Sequence, residues 1–272
     1  MTRDPRAGQP VAVVTGATHG LGEEVARRLG ALGHYVVVHG RDAAAGHRVV
    51  EEVERAGGAA RFARADFASL REVTALAEAL GRDCDRIDVL VANAGVGPAP
   101  DRRVVSADGH ELRFQLNYLA HFLLIRALLP RIAGSQEARI VHVSSGAQEP
   151  IDFDDVMLER GFDGWRAYGQ SKLAQIMLTF DLAEELADTG VRVNALHPAT
   201  FMDTEMVRSA GIAPRSTVED GAAPVMRLIT APDVGTGLFY DRERPARAHA
   251  QAYDPEARRR LRELSEELVG LR

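Results

Sequence analysis

The chain contains a single lysine, Lys172, which lies four residues after Tyr168 in the segment YGQSK. Arginine supplies all the other basic side chains among the 33 lysine and arginine residues. Positions i and i+4 share one face of a helix, so a helix here would point the phenol and the ammonium into the same space. Unlike the planar guanidinium fork, an ammonium is a compact point charge that donates in three directions. The spacing therefore predicts an acid/base pair.

A glycine-rich turn, TGATHGLG over residues 15–22, follows a first apolar run at residues 11–14. Glycines let the backbone approach a phosphate, and the helix that follows offers unpaired N–H groups at its start. The turn predicts a dinucleotide pyrophosphate site, with a plain strand-to-helix turn as the alternative. The residues expected to contact the cofactor there are Gly16, Thr18, His19, Gly20, Leu21 and Gly22.

Short apolar runs alternate with helical patterns along the whole chain. Such runs, separated by helices, indicate a parallel sheet covered on both faces. We therefore expect an α/β fold with a doubly wound, Rossmann-like parallel sheet, whose ligands bind at the carboxyl ends of the strands. The expected strands are 11–14, 35–38, 61–65, 89–92, 139–143 and 191–196, and the expected helices are about 21–32, 44–56, 70–80, 111–129, 166–188 and 254–268. The helix of residues 111–129 is expected to stop near Pro130.

Composition narrows the class of protein. The chain has 272 residues, 46% of them hydrophobic, a net charge of −6 and a pI near 5.9, which is typical of a globular protein and argues against a nucleic-acid-binding surface. Cys84 is the sole cysteine, so an internal disulfide and a cysteine-based zinc site are excluded. Neither a signal-peptide pattern nor an apolar run of about 18 residues is present, so we expect no membrane span and residence in the cytoplasm.

The expected organisation is a flexible tail at residues 1–10 followed by one domain at 11–272. Within that domain, residues 200–220 have the mixed apolar and Pro/Gly character of a substrate lid.

Five features together resemble the short-chain dehydrogenase/reductase family. They are the turn at residues 15–22, Asn93-Ala94-Gly95, Asn117, Ser145 and the Tyr168/Lys172 pair. The resemblance covers about residues 11–203. Within the family, the sequence is most similar to the retinol dehydrogenase-like branch, in which the catalytic serine is followed by a stretch like IDFDD. It implies an oxidoreductase that interconverts a carbonyl compound and an alcohol with a nicotinamide cofactor. Ser145 and Tyr168 lie farther apart here than in many members.

The resemblance implies four catalytic roles. Tyr168 acts as the general acid in reduction and the base in oxidation. Lys172 and the oxidised nicotinamide lower its pKa from about 10, and Lys172 also binds the nicotinamide ribose. Ser145 donates to the substrate oxygen, whereas Ser144 is structural. Asn117 holds a water that relays protons through Lys172, or alternatively ties backbone groups together.

The end of the second strand bears on the choice of cofactor. An acidic residue there would accept from the 2′-hydroxyl of NAD, but the sequence has Gly40 followed by Arg41. Arginine suits the 2′-phosphate of NADP, and His19 adds a donor. Asp42 is expected to stand too late in the chain to bind the ribose. We therefore expect NADP as the cofactor, with NAD as the alternative. Arg41 could otherwise be a solvated turn residue without a role in cofactor binding.

The resemblance also implies further cofactor contacts. Asp66, next to Phe67, would accept from the adenine amino group, or alternatively would act like a helix cap before Ser69. Asn93, with Ala94 and Gly95, would line the ribose and stiffen the sheet.

A third set of expected contacts follows the sixth strand. Pro198 and Thr204, or else Thr200, would contact the nicotinamide. His197 has no second metal ligand nearby, so no metal site is expected.

The substrate is expected to be a hydrophobic small molecule. This expectation rests on apolar side chains that either line the site or belong to the ordinary core: Phe153, Trp165, Phe201, Met202 and Met206. The family resemblance further implies a homodimer or homotetramer built on helices 111–129 and 166–188.

Two other functions were weighed. A nucleotide-binding sensor or scaffold with little turnover is disfavoured by the intact set of four catalytic residues, Asn117, Ser145, Tyr168 and Lys172. An epimerase or dehydratase acting on nucleotide sugars would need a different glycine spacing and a larger C-terminal domain.

Overall fold

Eight strands form a single sheet in the computed structural model, which describes residues 5–6, 8–135 and 137–272. They are β1 Val11–Val14, β2 Tyr35–Gly40, β3 Ala59–Arg64, β4 Val89–Ala92, β5 Arg139–Val143, β6 Arg192–His197, β7 Leu238–Asp241 and β8 Arg244–Ala246. Their spatial order is β3-β2-β1-β4-β5-β6-β7-β8, and only the β7–β8 pair is antiparallel. The predicted doubly wound parallel sheet is confirmed, whereas β7 and β8 were not predicted.

Helices cover both faces of this sheet. They are α1 Gly20–Ala31, α2 Ala43–Arg55, α3 Leu70–Asp83, α4 Ala120–Ile132, α5 Gly164–Glu185, α6 Glu205–Ser209, α7 Val218–Thr230 and α8 Pro255–Leu268, with a π-helical segment at Phe114–Leu119 and a 3₁₀ turn at Ala250–Tyr253. Side chains alternate between two cores along β1, since Val11 and Val13 join one apolar cluster and Ala12 and Val14 join the other. This period of two buries the sheet from both sides.

Helix α5 carries the Tyr168/Lys172 pair and is buried on almost every side. Asp163 caps its start by accepting from the backbone N–H of Arg166 at 2.7 Å. Every residue from 169 to 180 is buried. A helix enclosed all round shows no amphipathic stripe, so its position is fixed by packing in every direction.

The preceding helix departs from the sequence prediction at both ends. It begins as the π-helical segment around Asn117, and α4 continues past Pro130 to Ile132. A proline this close to the end removes only one backbone donor, and Ala133 N–H still donates to Leu129 O at 2.8 Å. The predicted stop near Pro130 is therefore wrong by two residues.

Helix α8 covers the faces that were expected to contact a second subunit. Tyr118 shares a buried hydrogen bond of 2.8 Å with Ser265. Asp181 of α5 pairs with Arg262 at 2.6 Å and with Arg258 at 3.4 Å. A dimer formed directly through these helices would require α8 to move away. The expectation of a homodimer or homotetramer stays a prediction, and any assembly through these helices has to accommodate α8.

Part of the expected N-terminal tail, residues 1–4 and 7, lies outside the described residues. Just before β1, Gln9 Nε2 donates to Gly33 O at 3.0 Å and Arg86 donates to Gly8 O at 3.3 Å, so residues 8–10 are attached to the domain. In the described part of the chain, no helix combines the length and the apolar character needed to cross a bilayer.

Replacing Leu261 of α8 by alanine tests how firmly this helix belongs to the fold. Leu261 is 2% exposed, so Leu261→Ala should lower the free energy of unfolding by about 2–4 kcal/mol in urea titrations. The control is Leu271→Ala, at a site that is 54% exposed, where a change within about 0.5 kcal/mol is expected. Equal stability of the two variants would show that α8 is not part of the cooperative unit.

Candidate active site

A cavity of about 560 Å³ opens at the carboxyl ends of the parallel strands. It is lined by almost every residue that the sequence placed at the site: Gly16, Thr18, His19, Gly20, Leu21, Gly22, Arg41, Asp66, Phe67, Asn93, Ala94, Gly95, Ser145, Tyr168, Lys172, Pro198 and Thr204. Asn117 does not line the cavity and is fully buried. Among the described residues, no group of three or more His, Cys, Asp or Glu side chains could hold a metal ion.

The glycine turn is compact because its backbone leaves no room for side chains. Gly16 and Gly20 have φ of +62° and +58°, which only glycine adopts without strain. A Cβ on Gly22 would lie 2.3 Å from Gly16 O and 2.5 Å from Asn93 Nδ2. The first turn of α1 therefore lies directly against the loop.

The start of α1 fits an anionic ligand. Side chains cap α2, α3, α5, α7 and α8, but His19 at the N-cap position of α1 makes no such bond within the described chain. Its ring instead lies 3.1 Å from the Thr18 hydroxyl. The first N–H groups of a helix need partners, and phosphate oxygens would supply them. These residues fit the pyrophosphate of a dinucleotide.

Asn93 braces the loop from the end of β4. Its Nδ2 donates to Thr15 O at 2.8 Å and to Gly16 O at 3.0 Å, and its backbone N–H donates to the Thr15 hydroxyl at 2.8 Å. These bonds agree with the stiffening role expected for Asn93.

The end of β2 leaves Arg41 exposed beside the cavity, with its neighbours committed elsewhere. A Cβ on Gly40 would lie 2.4 Å from Thr18 Cγ2, so no acidic side chain fits at that position. Asp42 caps α2 by accepting from Ala45 N–H at 3.0 Å. Both observations agree with the expectation that no acidic side chain at the end of β2 binds the cofactor ribose.

His39 also lines the cavity, although it was not predicted because it lies within the apolar run of β2. Gly16 N–H donates to its Nδ1 at 3.3 Å, so Nε2 carries the hydrogen and donates to Ala65 O at 3.2 Å. The ring stacks on Phe67 with centroids 4.3 Å apart. Burial lowers the pKa of His39 to about 4, so it is neutral at pH 7.

Asp66 is held in a local turn next to that stack. Its Oδ1 accepts from Ala68 N–H at 3.0 Å. The cap of α3 is Ser69, which accepts from Glu72 N–H at 3.4 Å, so the capping alternative weighed for Asp66 does not apply.

Tyr168 and Ser145 both line the inner end of the cavity, where the Ser145 side chain acts on the phenol and lowers its pKa. Ser145 Oγ also accepts from Ala147 N–H at 3.0 Å. Burial raises the pKa of Tyr168 above its ordinary value, and the Ser145 side chain offsets part of that rise. The lowering of this pKa by Lys172 and the oxidised nicotinamide is expected with the cofactor bound and stays a prediction.

Lys172 lies beneath Tyr168, with Nζ 5.6 Å from the ring centroid. The ammonium donates to Val143 O at 2.9 Å and to Gln175 Oε1 at 3.0 Å. Burial lowers its pKa to about 7. Ser144 donates to the backbone oxygen of Lys172 at 2.8 Å, in agreement with the structural role predicted for it.

Asn117 connects the loop after β4 to α5. Its Oδ1 accepts from Val96 N–H at 2.8 Å, and its Nδ2 donates to Val96 O at 3.1 Å and to Ser171 Oγ at 2.9 Å. His121, also missed in the sequence, lies with Nδ1 2.9 Å from Asn117 O and Nε2 2.9 Å from Thr15 Oγ1. The tying of backbone groups is therefore observed, while the water relay stays a prediction.

The outer wall comes largely from the segment after β6. Met206 of α6 packs so closely on Gly97 that a Cβ there would lie 2.9 Å from Met206 Cγ. Thr204 borders the glycine turn, where a Cβ on Gly20 would lie 3.2 Å from Thr204 Cγ2. Thr200 also lines the cavity, with its hydroxyl 3.1 Å from His197 Nε2.

Four of the five apolar side chains expected at the wall line the cavity, and Phe153 does not. Phe153 lies in a groove beside α8, under the Arg260 guanidinium at 4.5 Å. It belongs to the stretch between Ser145 and Tyr168, which turns away from the cavity: Gln251 Nε2 donates to Ile151 O at 3.1 Å, and Asp152 N–H donates to Gln170 Oε1 at 3.0 Å. Of the two alternatives for Phe153, the ordinary core is the one observed, because this part of the stretch docks on the C-terminal region.

Comparison with known proteins agrees with this arrangement. The model of a protein family described as short chain dehydrogenase matches residues 10–214. A probable oxidoreductase of Streptomyces antibioticus is 35% identical over 92% of this chain and 94% of its own length. Retinol dehydrogenase 13 of Mus musculus is 33% identical over 95% of this chain and 83% of its own.

Solved structures share the fold. An uncharacterised protein from Mycobacterium paratuberculosis has a TM-score of 0.81 and 29% identity over 98% of this chain and 96% of its own. A 7α-hydroxysteroid dehydrogenase complexed with NADH and 7-oxo glycochenodeoxycholic acid has a TM-score of 0.71 and 26% identity, covering 85% and 92%. A metagenomic short-chain oxidoreductase in complex with NADP has a TM-score of 0.66 and 28% identity, covering 85% and 96%.

Replacing Gly22 by alanine should damage the phosphate loop, because the added Cβ meets backbone and amide atoms that cannot move independently. We expect Gly22→Ala to weaken dinucleotide binding by more than about tenfold, a loss of about 1.4 kcal/mol, in a fluorescence titration with NADPH. The control is Gly81→Ala in α3, where a Cβ meets nothing within 4 Å. That variant should bind like the parent and gain up to about 1 kcal/mol in stability. Unchanged binding by Gly22→Ala would contradict the placement of the pyrophosphate.

Proposed function

We propose that this chain, which belongs to the short-chain dehydrogenase/reductase family, is an NADP(H)-dependent oxidoreductase that interconverts a carbonyl compound and an alcohol by hydride transfer. One observation carries the proposal. The Tyr168–Ser145 pair and the buried Lys172 face one end of the cavity whose other end is the uncapped start of α1. A dinucleotide spanning that cavity would bring its nicotinamide to the tyrosine.

The bound nicotinamide supplies or accepts the hydride. In reduction, Tyr168 gives its proton to the carbonyl oxygen, and its raised pKa keeps the phenol protonated at neutral pH until then. Ser145 donates a hydrogen bond to the same oxygen as negative charge develops there. In oxidation Tyr168 takes the proton back. The ammonium of Lys172, with Nζ 5.6 Å from the phenol ring centroid, favours the phenolate at that point when it is protonated.

The preference for NADP rests on Arg41. Its guanidinium is exposed at the cavity edge, Gly40 excludes an acidic competitor, and Asp42 is occupied as a helix cap. A guanidinium binds a phosphate through two parallel hydrogen bonds. The similar structures include one complex with NADP and one with NADH, and an NAD(H)-dependent dehydrogenase is the alternative.

A hydrophobic carbonyl compound fits the outer part of the cavity. Its wall there is apolar, with Trp165 half exposed and set edge-on to Tyr168 at 6.4 Å between ring centroids. The other apolar side chains at this wall include Leu116, Met202, Met206, Val207 and Ile212. Relatives named for retinol and for a hydroxysteroid point to the same class of substrate.

The complete catalytic set argues against a sensor or scaffold with little turnover. Residence in the cytoplasm stays a prediction, as does the closing of residues 200–220 over the substrate.

Tyr168→Phe removes the transferable proton and leaves the ring. We expect turnover with NADPH and an active carbonyl substrate to fall by about 10²–10⁴-fold, while the dissociation constant of NADPH stays within about threefold of the parent. Tyr253→Phe, at a tyrosine outside the cavity, is the matched control and should keep full activity. Full activity of Tyr168→Phe would refute the assignment of the acid.

Arg41→Ala separates the two cofactors. Losing a charge-assisted bond of about 1.5–3 kcal/mol should weaken NADPH binding by about 10–100-fold, with NADH binding unchanged. Arg55→Ala removes the same charge from the exposed end of α2 and should weaken neither cofactor. A parent enzyme that prefers NADH, or equal losses for both cofactors, would overturn the role given to Arg41.

A further inference from the structure

Gln175 lies one helical turn after Lys172 on α5, fully buried, and contacts the ammonium directly. Its Oε1 accepts from Lys172 Nζ at 3.0 Å, and the second acceptor of that ammonium is the backbone oxygen of Val143 at 2.9 Å. An ammonium can only donate, so the amide must present its oxygen to Nζ. Gln175 is thus the only side chain that accepts from Lys172 in the described part of the chain.

The nitrogen of the same amide lacks a hydrogen-bond partner within the part of the chain that the structure describes. Gln175 Nε2 is buried and has no hydrogen-bond partner among the described residues. Burying an unpaired amide nitrogen costs free energy that an apolar side chain of the same size would not. Packing therefore does not account for glutamine at this position, whereas contact with the ammonium does.

Among the residues that the structure describes, no carboxylate acts on this ammonium. From β5, His142 faces it, and His142 Nδ1 donates to the Thr179 hydroxyl at 2.9 Å, since that hydroxyl donates to Gln175 O. From α4, His121 faces it. Burial lowers the pKa of both histidines to about 3, so both are neutral near pH 7. The remaining neighbours are neutral as well: Asn117, Ser145 and Tyr168.

We propose that Gln175 is a positioning residue for the reaction, whose side-chain oxygen holds the ammonium of Lys172 beneath Tyr168 and favours its protonated form. The proposal rests on the function proposed above, because it assigns Gln175 a role in that chemistry. It does not require Gln175 to touch substrate or cofactor. Its consequence is that the titration of Lys172 should follow the chemistry of residue 175.

The sign of the effect follows from the burial of Lys172. Removal from water disfavours the charged form and places the pKa of Lys172 at about 7. An oxygen in contact with Nζ favours the charged form. Gln175→Met keeps the size but removes this oxygen, so the ammonium should lose its proton at lower pH. Gln175→Glu keeps the shape and adds a negative charge, so the proton should be held to higher pH.

The single lysine makes this measurable without any substrate. Full-length protein produced with ¹³Cε-labelled lysine and a lysine-free tag gives one lysine resonance, whose chemical shift is followed against pH. We expect a midpoint near 7 in the parent, about one pH unit or more lower in Gln175→Met, and about one or more higher in Gln175→Glu. Circular dichroism and thermal unfolding at each pH verify that the protein is folded.

Gln170→Met is the matched control. Gln170 is also a buried amide on α5, but its Nε2 donates to Val156 O at 2.8 Å and its Oε1 accepts from Asp152 N–H, so its loss disturbs packing without touching Lys172. Its lysine midpoint should equal that of the parent. A midpoint that is the same in the parent and in both Gln175 variants would overturn the proposal, as would equal displacement in Gln170→Met.

A second arm follows reduction of a carbonyl substrate against pH. Because the protonated lysine is the active form, the alkaline limb of the pH–rate profile should move down in Gln175→Met and up in Gln175→Glu. If the parent is active and the alkaline limb of the pH–rate profile lies at the same pH in both Gln175 variants, the role of Gln175 is refuted and the proposed function stands. A lysine resonance that moves as expected, in a protein that turns over no carbonyl or alcohol, upholds the contact and refutes the proposed function instead.

Discussion

The structure depends on enclosing one ammonium in the middle of a helix that is buried on almost every side. Removing a cation from water is unfavourable unless polar groups replace its hydration, and at Lys172 the replacement consists of a strand-end carbonyl and one amide. The carbonyl comes from β5, and the amide sits one turn farther along α5. The same bonds of Lys172 therefore determine both how α5 packs against the sheet and where the catalytic groups lie. A shift of α5 away from β5 would break the bond between Lys172 Nζ and Val143 O, whereas the bond to Gln175 would move with the helix.

The sequence was sufficient for features encoded by local pattern. The alternation of apolar runs and helices predicted the sheet, and the glycine turn of residues 15–22 predicted the uncapped helix start. Features decided by distant contacts were missed. His39 looks like an interruption of an apolar strand until the loop lies over it, and Gln175 looks like an ordinary helix residue until the ammonium lies beside it. The edge strands β7 and β8 were missed because they have only four and three residues, and β8 contains a proline.

Two outcomes decided by distant contacts have a similar physical origin. Phe153 was expected at the substrate wall or in the ordinary core, and it packs on the core because the stretch that carries it finds its hydrogen bonds on the C-terminal 3₁₀ turn. The pKa of Tyr168 was expected to fall under the joint influence of Lys172 and the oxidised nicotinamide. In the folded chain the ammonium is directed to other oxygens, so burial decides the direction. Neither outcome is contained in spacing along the chain.

The position of α8 has a consequence for how the protein behaves on dilution. A catalytic helix covered by a second subunit loses its cover when the protein concentration falls below the dissociation constant of the assembly. Here the cover is covalently part of the chain, through Tyr118–Ser265 and the pairs that Asp181 makes with arginines of α8. Its local concentration around α5 is set by the length of the connection and does not depend on the amount of protein present. The contacts of α8 with α5 and Tyr118 are thus independent of protein concentration.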